Sequence, residues 1–221
     1  MKWRLACALT QAIGFIAVVM LALALTSGTI RSYIPVLIDQ QVARTWPFTY
    51  IVVGDSLAAE CPWKWAFGFS PVAVANLAAA GSDLRRITRQ IELAHDFRPQ
   101  FMLISGGIND LINYEAPLDA IRYDFALLLR HLGKEQKSVV TLIPYISDQN
   151  FTERITAANN VIAELSLQRG IPVIDINPSL SVDGVRRPEM TTDGIHLSAL
   201  ACRSWIAAVK SRLAATKRPV P

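Results

Sequence analysis

The sequence predicts an α/β domain built on a parallel sheet covered on both faces, and three observations lead there. From Thr49 onward, short runs rich in β-favouring aliphatic residues alternate with longer stretches of helical period. The short runs are close to continuously apolar, as strands buried on two faces are. Turn chemistry follows two of them directly, with Gly54-Asp55-Ser56 after one and Gly106-Gly107 after another. Alternation of strands with helices long enough for crossovers implies parallel pairing.

The chain begins differently. No charged residue lies between Arg4 and Arg31, and Leu5 to Thr26 is a run of 22 mostly Leu, Ala, Val and Ile residues interrupted by Gln11. As a helix that run spans roughly 33 Å, enough to cross a hydrocarbon core. The competing reading is a cleaved signal peptide with Ala22-Leu23-Ala24 at its site, although signal cores normally run only about 7–15 residues. A retained anchor is the expectation, residues 1–30 forming a signal anchor and 31–48 a stalk. Lys2 and Arg4 precede the span, so the positive-inside rule leaves the N-terminus in the cytoplasm and exports the rest. Those two residues are part of the 22 basic residues; the other 20 against 18 acidic ones leave +2 of the formal +4. With no basic cluster, that balance argues against a nucleic-acid surface. The hydrophobic content of 52 % and the mean hydropathy of +0.30 owe much to this N-terminal run.

The domain then reads in order over 49–214, with 215–221 as a tail. Candidate strands are Tyr50–Val53, Val72–Asn76, Phe101–Ser105, Ser138–Ile143 and Ile171–Ile174. Candidate helices lie near 83–96, 118–133, 152–168 and 198–214. Leu84, Ile87, Ile91 and Ala94 recur at three- and four-residue steps, as do Ile121, Phe125, Leu128 and Leu132, the stripe of a helix with one buried face.

Four stretches carry chemistry. Tyr50–Val53 runs into Gly54-Asp55-Ser56-Leu57, so Ser56 stands where a strand ends and a helix opens, the edge at which parallel sheets bind ligands; by itself this is also ordinary turn and capping chemistry. Asn76-Leu77-Ala78-Ala79-Ala80-Gly81-Ser82-Asp83 follows the second strand. There Gly81 allows close backbone approach and a free N–H donor, or the segment is a plain loop capped by Ser82 or Asp83. Ser105-Gly106-Gly107-Ile108-Asn109-Asp110 follows the third, and the Asn109 amide is a neutral donor suited to a developing oxyanion. No dinucleotide fingerprint or phosphate loop is present. Last, Asp193-Gly194-Ile195-His196 places a carboxylate three residues before an imidazole, close enough to hold Nδ1–H and leave Nε2 as a base. His95 and His131 have no such neighbour and read as helix-surface residues. Three scattered histidines without a His/Cys cluster argue against zinc, and no cofactor is expected.

Taken together these stretches resemble the SGNH, or GDSL, hydrolases over residues 50 to about 210. Gly54-Asp55-Ser56-Leu57 matches the nucleophile block, Asn76 to Gly81 the second block, Gly107-Ile108-Asn109-Asp110 the G-x-N-D block, and Asp193-Gly194-Ile195-His196 the closing D-x-x-H block. The resemblance implies a flavodoxin-like three-layer α/β/α sandwich on a five-stranded parallel sheet; the one transmembrane helix expected before it rests on the Leu5–Thr26 run alone. It implies Ser56 as nucleophile, His196 as base and Asp193 orienting it. It also implies an oxyanion hole from the Ser56 and Gly81 N–H groups and the Asn109 amide, with Asp55 and Asp110 supporting their loops. One departure is Ala78, where many members carry glycine.

Cys61 follows Ser56 by five residues and Cys202 follows His196 by six. If Ser56 and His196 meet, the cysteines could be neighbours, forming a disulfide in an exported domain or remaining two buried thiols. Cys7 lies in the apolar span. Trp63, Trp65, Phe67 and Phe69 follow the nucleophile and could line a pocket for a sugar ring or acyl chain, or be a core or lid segment.

The expected function is a membrane-anchored serine esterase whose catalytic domain faces the periplasm or cell exterior. It would hydrolyse or transfer a small acyl group, acetyl on a cell-surface glycan being the leading substrate. The rivals are a lipid-directed esterase, lysophospholipase or thioesterase, and a non-catalytic membrane-tethered module binding glycan or a partner. The α/β-hydrolase alternative wants G-x-S-x-G, which is absent.

Overall fold

The computed structural model describes residues 50–66, 74–133 and 137–216. The expected anchor and stalk, and the end of the tail, lie outside these residues. Among the described residues no helix is long and apolar enough to cross a membrane.

The first strand, β1 (Tyr50–Val53), is buried from Ile51 onward and ends at Gly54. Two short helices follow, α1 (Ser56–Ala59) and α2 (Trp63–Ala66), then β2 (Val74–Asn76). Helix α3 (Leu84–His95) has a narrow apolar face, with Leu84, Ile87, Thr88, Ile91 and Ala94 buried and its arginines outward. Burying each isoleucine contributes about 1.5–3 kcal/mol. Next come β3 (Phe101–Ser105), α4 (Ile108–Ile112), α5 (Leu118–Arg130) and β4 (Lys137–Thr141). A 3-10 turn, Gln149–Phe151, leads into α6 (Thr152–Gln168). Then follow β5 (Val173–Ile174), α7 (Asn177–Leu180), the hairpin β6 (Ser181–Val182) and β7 (Val185–Arg186), a 3-10 turn at Pro188–Met190, and α8 (Ala199–Thr216).

The five strands β2-β1-β3-β4-β5 form one parallel sheet. Tyr50 pairs with Val74 on one side and Phe101 on the other, Ile104 with Val140, and Thr141 with Ile174. That order is the flavodoxin-like doubly wound one, which reverses direction at β1/β3 and opens a crevice there. All five β3 residues are buried, so both faces of the sheet are covered, as the continuous apolar run requires. Helices α3, α5 and α6 lie side by side. On α8, the fully buried Trp205 donates from Nε1 to Thr141 Oγ1 at 3.0 Å and meets Trp63 edge to face at 5.0 Å.

The expected strands and main helices are present, with shifted ends. The fourth strand was expected to reach Ile143 but stops at Thr141, because Pro144 has no N–H to donate. There the buried Asn159 replaces the ladder, accepting from Ile143 N at 2.7 Å and donating to Ile143 O at 2.8 Å. The β6–β7 hairpin and α7 were not anticipated, since two-residue strands carry no periodicity.

Of the two readings open for Trp63, the structure rules out pocket lining and has the core: it is 1 % exposed, packed on Trp205, with Nε1 donating to Ala58 O at 2.7 Å. A large apolar ring with its one donor satisfied is stable in the core. Trp65 belongs to α2, while Phe67 and Phe69 lie outside the described residues.

Candidate active site

The β1 carboxyl end is built to hold one side chain rigidly. A Cβ on Gly54 would stand 2.6 Å from Ser105 O and 2.9 Å from Ala58 Cβ, so only glycine lets the turn sit this close to β3. Asp55 then caps α1, accepting from Leu57 N at 3.0 Å. Its carboxyl is fully buried, and burial pushes its pKa up to about 7. Ser56 follows as the first residue of α1, 7 % exposed.

Asn76, at the end of β2, donates from Nδ2 to Ala58 O at 3.3 Å and Ala59 O at 3.2 Å, and accepts from Ala78 N at 3.1 Å. The second loop is thereby tied to the nucleophile helix, with Ala78 buried in the position where glycine is frequent. Gly81 adopts φ +70°, and a Cβ there would meet nothing within 4 Å. Its requirement for glycine is conformational. Its carbonyl accepts from Arg86 Nη1. Asp83 accepts from Arg86 N at 2.8 Å and Asp110 from Leu84 N at 3.1 Å, so two carboxylates cap α3. Burial raises the Asp110 pKa to about 6.

Asn109 sits in α4 beyond β3 and is 9 % exposed. Asn113 Nδ2 donates to its Oδ1 at 2.8 Å, and its own Nδ2 donates to Ser82 O at 3.0 Å. An amide nitrogen carries two hydrogens, and the second remains for a ligand. Because β2, β1 and β3 are adjacent, Gly81, Ser56 and Asn109 rise from neighbouring strand ends.

The last loop brings the base. Asp193 Oδ2 accepts from His196 Nδ1 at 2.6 Å, while Oδ1 accepts from Ile195 N at 2.9 Å and His196 N at 2.7 Å. The imidazole bond, reinforced by those two backbone donors, holds the Asp193 carboxyl well below the usual carboxylate range. His196 Nε2 stands 3.1 Å from Ser56 Oγ across 140 residues of chain. With Nδ1–H on the carboxylate, Nε2 is left to take the hydroxyl proton.

Several residues that sequence reasoning did not single out hold this arrangement. Gln90 of α3 accepts from Gly54 N at 2.7 Å and donates to Gly54 O at 3.0 Å and Ser82 Oγ at 3.1 Å. Thr191 Oγ1 donates to His196 O at 2.7 Å and accepts from Gly194 N at 2.8 Å. Arg186 is 2 % exposed and donates from Nη1 to Ile195 O at 2.7 Å. Burial lowers its pKa to about 10, partly offset by the Asp193 charge. Glu60 Oε1 lies 3.9 Å from His196 Nε2. The only sequence signal was a polar residue beside an apolar stripe at Gln90 and an arginine between short turns at Arg186.

Cys61 and Cys202 form a disulfide, with 5.4 Å between their Cα atoms. It straps the segment after α1 to α8, just beyond the His196 loop. His95 and His131 lie elsewhere, at the ends of α3 and α5, where His95 Nε2 is 2.5 Å from His131 O and His131 Nε2 3.2 Å from Glu92. Among the described residues no group of three or more His, Cys, Asp or Glu could hold a metal ion.

A model of the GDSL-like lipase/acylhydrolase family matches residues 52–203. A sequence search among curated proteins finds no match. Solved structures share the fold. A candidate platelet activating factor from Streptococcus pneumonia is 17 % identical with a TM-score of 0.67, the match covering 88 % of this chain and 98 % of that one. A lipase/acylhydrolase from Enterococcus faecalis is 20 % identical with a TM-score of 0.63, covering 79 % and 100 %. A variant of an acetyl xylan esterase from Geobacillus stearothermophilus is 13 % identical with a TM-score of 0.61, covering 76 % and 95 %. At such identities the likeness is one of fold.

Proposed function

We propose, from the premise that this chain belongs to the GDSL-like lipase/acylhydrolase family, that it is a serine esterase removing a small acyl group, acetyl above all, from a hydroxyl of a cell-surface glycan. The observation that carries the reading is the continuous line from Asp193 through His196 to Ser56, 2.6 Å and then 3.1 Å long. A serine hydroxyl attacks at neutral pH only when a base takes its proton during attack. Ser56 Oγ bonds to the ester carbon while His196 Nε2 takes the proton. The carbonyl oxygen becomes an oxyanion facing the N–H groups of Ser56 and Gly81 and the second hydrogen of Asn109 Nδ2. Collapse breaks the bond to the alcohol, which leaves with the proton from His196. Water then attacks the acyl-serine, again losing its proton to His196; collapse breaks the bond to Ser56 Oγ, which takes that proton back from His196, and the free acid departs.

A small acyl group on a sugar is supported by the acetyl xylan esterase among proteins of this fold. Export is supported by the uncharged Leu5–Thr26 run behind Lys2 and Arg4 and by the Cys61–Cys202 disulfide, a bond that persists in oxidising compartments. In this reading residues 1–30 anchor the enzyme to the membrane and the catalytic domain faces the periplasm.

The test is labelling with a fluorophosphonate, followed by a panel of acetylated sugars and medium-chain lipid esters. Labelling that disappears in Ser56→Ala, with turnover of the acetylated sugars, is expected. Folded wild-type protein that neither labels nor turns over any ester overturns the esterase reading. Faster turnover of the lipid esters overturns the glycan assignment. Transfer of acetyl to an added sugar alcohol in the same assay would make the enzyme a transferase, replacing the hydrolytic assignment.

A further inference from the structure

Ser56 and Glu60 are four residues apart on one helical turn, joined by a bond from Glu60 N to Ser56 O at 3.0 Å. Residues at that spacing share a helix face, so the Glu60 side chain rises on the side of the nucleophile. Its backbone is fixed on both flanks. Ala59 O accepts from Asn76 Nδ2 before it, and Cys61 is held to Cys202 after it. The carboxylate is 54 % exposed, with Oε1 3.9 Å from the same His196 Nε2 that faces Ser56 Oγ at 3.1 Å. Asp193 lies on the opposite nitrogen of that ring. Arg186, which is bonded to this loop, is buried and spends Nη1 on Ile195 O. The open side of the reacting centre is therefore bordered by the Glu60 carboxylate.

The geometry points to Glu60 as a specificity-determining residue that sets the charge of the ester this site accepts, an inference resting on Ser56 and His196 acting as proposed above. The leaving alcohol must pass within reach of His196 Nε2 to receive its proton, and so passes Glu60. A carboxylate, sulfate or phosphate on the alcohol a few ångströms from the reacting oxygen meets repulsion that a neutral or cationic alcohol does not. The favoured substrates are thus acyl esters of neutral or amine-bearing sugars. Uronate-rich glycans and esters with a phosphate beside the scissile bond are selected against. Because the carboxylate borders solvent, salt weakens the discrimination.

The experiment uses two acetyl esters of similar size, methyl 4-acetoxybenzoate (neutral) and 4-acetoxybenzoate (anionic), with the full chain in a non-ionic detergent at low ionic strength. The quantity read is the ratio of kcat/KM for the anionic over the neutral ester. Glu60→Gln, which keeps the shape and removes the charge, should raise this ratio about five- to tenfold, the size expected for one charge some 6 Å away in a half-aqueous setting. Glu60→Lys should raise it further, and Glu60→Asp, which keeps the charge, should leave it near the wild-type value. Circular dichroism verifies that each variant is folded. A ratio in Glu60→Gln and Glu60→Lys within twofold of wild type, while wild type still turns over the neutral ester through Ser56, overturns the role of Glu60 and leaves the esterase standing. Absence of turnover of both esters and of fluorophosphonate labelling in wild type overturns both.

Discussion

The side-chain amide of Gln90 brackets Gly54, taking its N–H at 2.7 Å and giving a hydrogen to its carbonyl at 3.0 Å, as a neighbouring strand would. The same nitrogen reaches Ser82 Oγ, and Ser82 O in turn accepts from Asn109. One amide on α3 thus joins the three loops that end β1, β2 and β3. Gln90→Leu should leave Gly54 N without a partner, at about 1–3 kcal/mol, visible in urea unfolding, while Gly54 O keeps its bond from Ala79 N at 3.0 Å. It should also lower kcat more than it raises KM. Gln90→Glu keeps the acceptor and loses the donor, so its loss should be intermediate. Wild-type kcat and stability in Gln90→Leu would show the bracket to be incidental.

Asn109→Ala removes the second amide hydrogen that faces the proposed oxyanion. Loss of one such donor raises the barrier by about 2.7–4 kcal/mol. Single-turnover acylation with an acetyl ester should therefore slow a hundred- to a thousandfold. Fluorophosphonate labelling should slow as well while Ser56 and His196 remain in place. A slowing below tenfold would remove Asn109 from the oxyanion role.

The Cys61–Cys202 bond closes a loop of 141 residues in sequence separation. Loss of such a bridge typically costs about 2–5 kcal/mol, so reductant should lower Tm by roughly 5–15 °C for a chain of this size. Activity should fall before unfolding, since the strap links the end of the Ser56 helix to the helix that follows His196. The Cys61→Ala/Cys202→Ala double variant should behave as the reduced protein does and be indifferent to reductant. Equal Tm values with and without reductant would argue that the loop is closed by packing alone.

Asp55 makes stability depend on pH in a defined direction. Its folded pKa, about 7, lies above the ordinary 3.8, so between these values the folded state binds a proton that the unfolded state has released. The Asp55 contribution to stability is then greatest below pH 4, falls as pH rises, and levels off above 7, at up to about 1.4 kcal/mol per pH unit. Asp110, raised to about 6, acts the same way over a window that closes sooner. Asp55→Asn keeps an acceptor for Leu57 N and should abolish the fall between pH 6 and 7 while leaving part of that between 4 and 6. Urea midpoints at pH 4, 6, 7 and 8 check this. An unchanged slope between 6 and 7 would contradict it.

Much of the site was legible before any coordinates because its informative contacts are short in sequence. Asp193 lies three residues from His196 and Asp55 two from Leu57. The Ser56, Gly81 and Asn109 loops each follow a strand whose apolar run declares it. The aromatic segment was harder to read, since Trp63 has the same sequence surroundings whether it faces a pocket or the core.

By itself, then, the chain determined the order of strands and helices, the parallel sheet, and the loops in which polar groups could gather. Those follow from side-chain periodicity and local turn chemistry. Only the tertiary structure decided that Gln90 meets Gly54, that Cys61 pairs with Cys202, that Trp63 turns inward onto Trp205, and that Glu60 stands beside the His196 ring. Periodicity says which face of an element a residue occupies. What that face meets depends on how distant elements are laid against one another, and no local pattern encodes that.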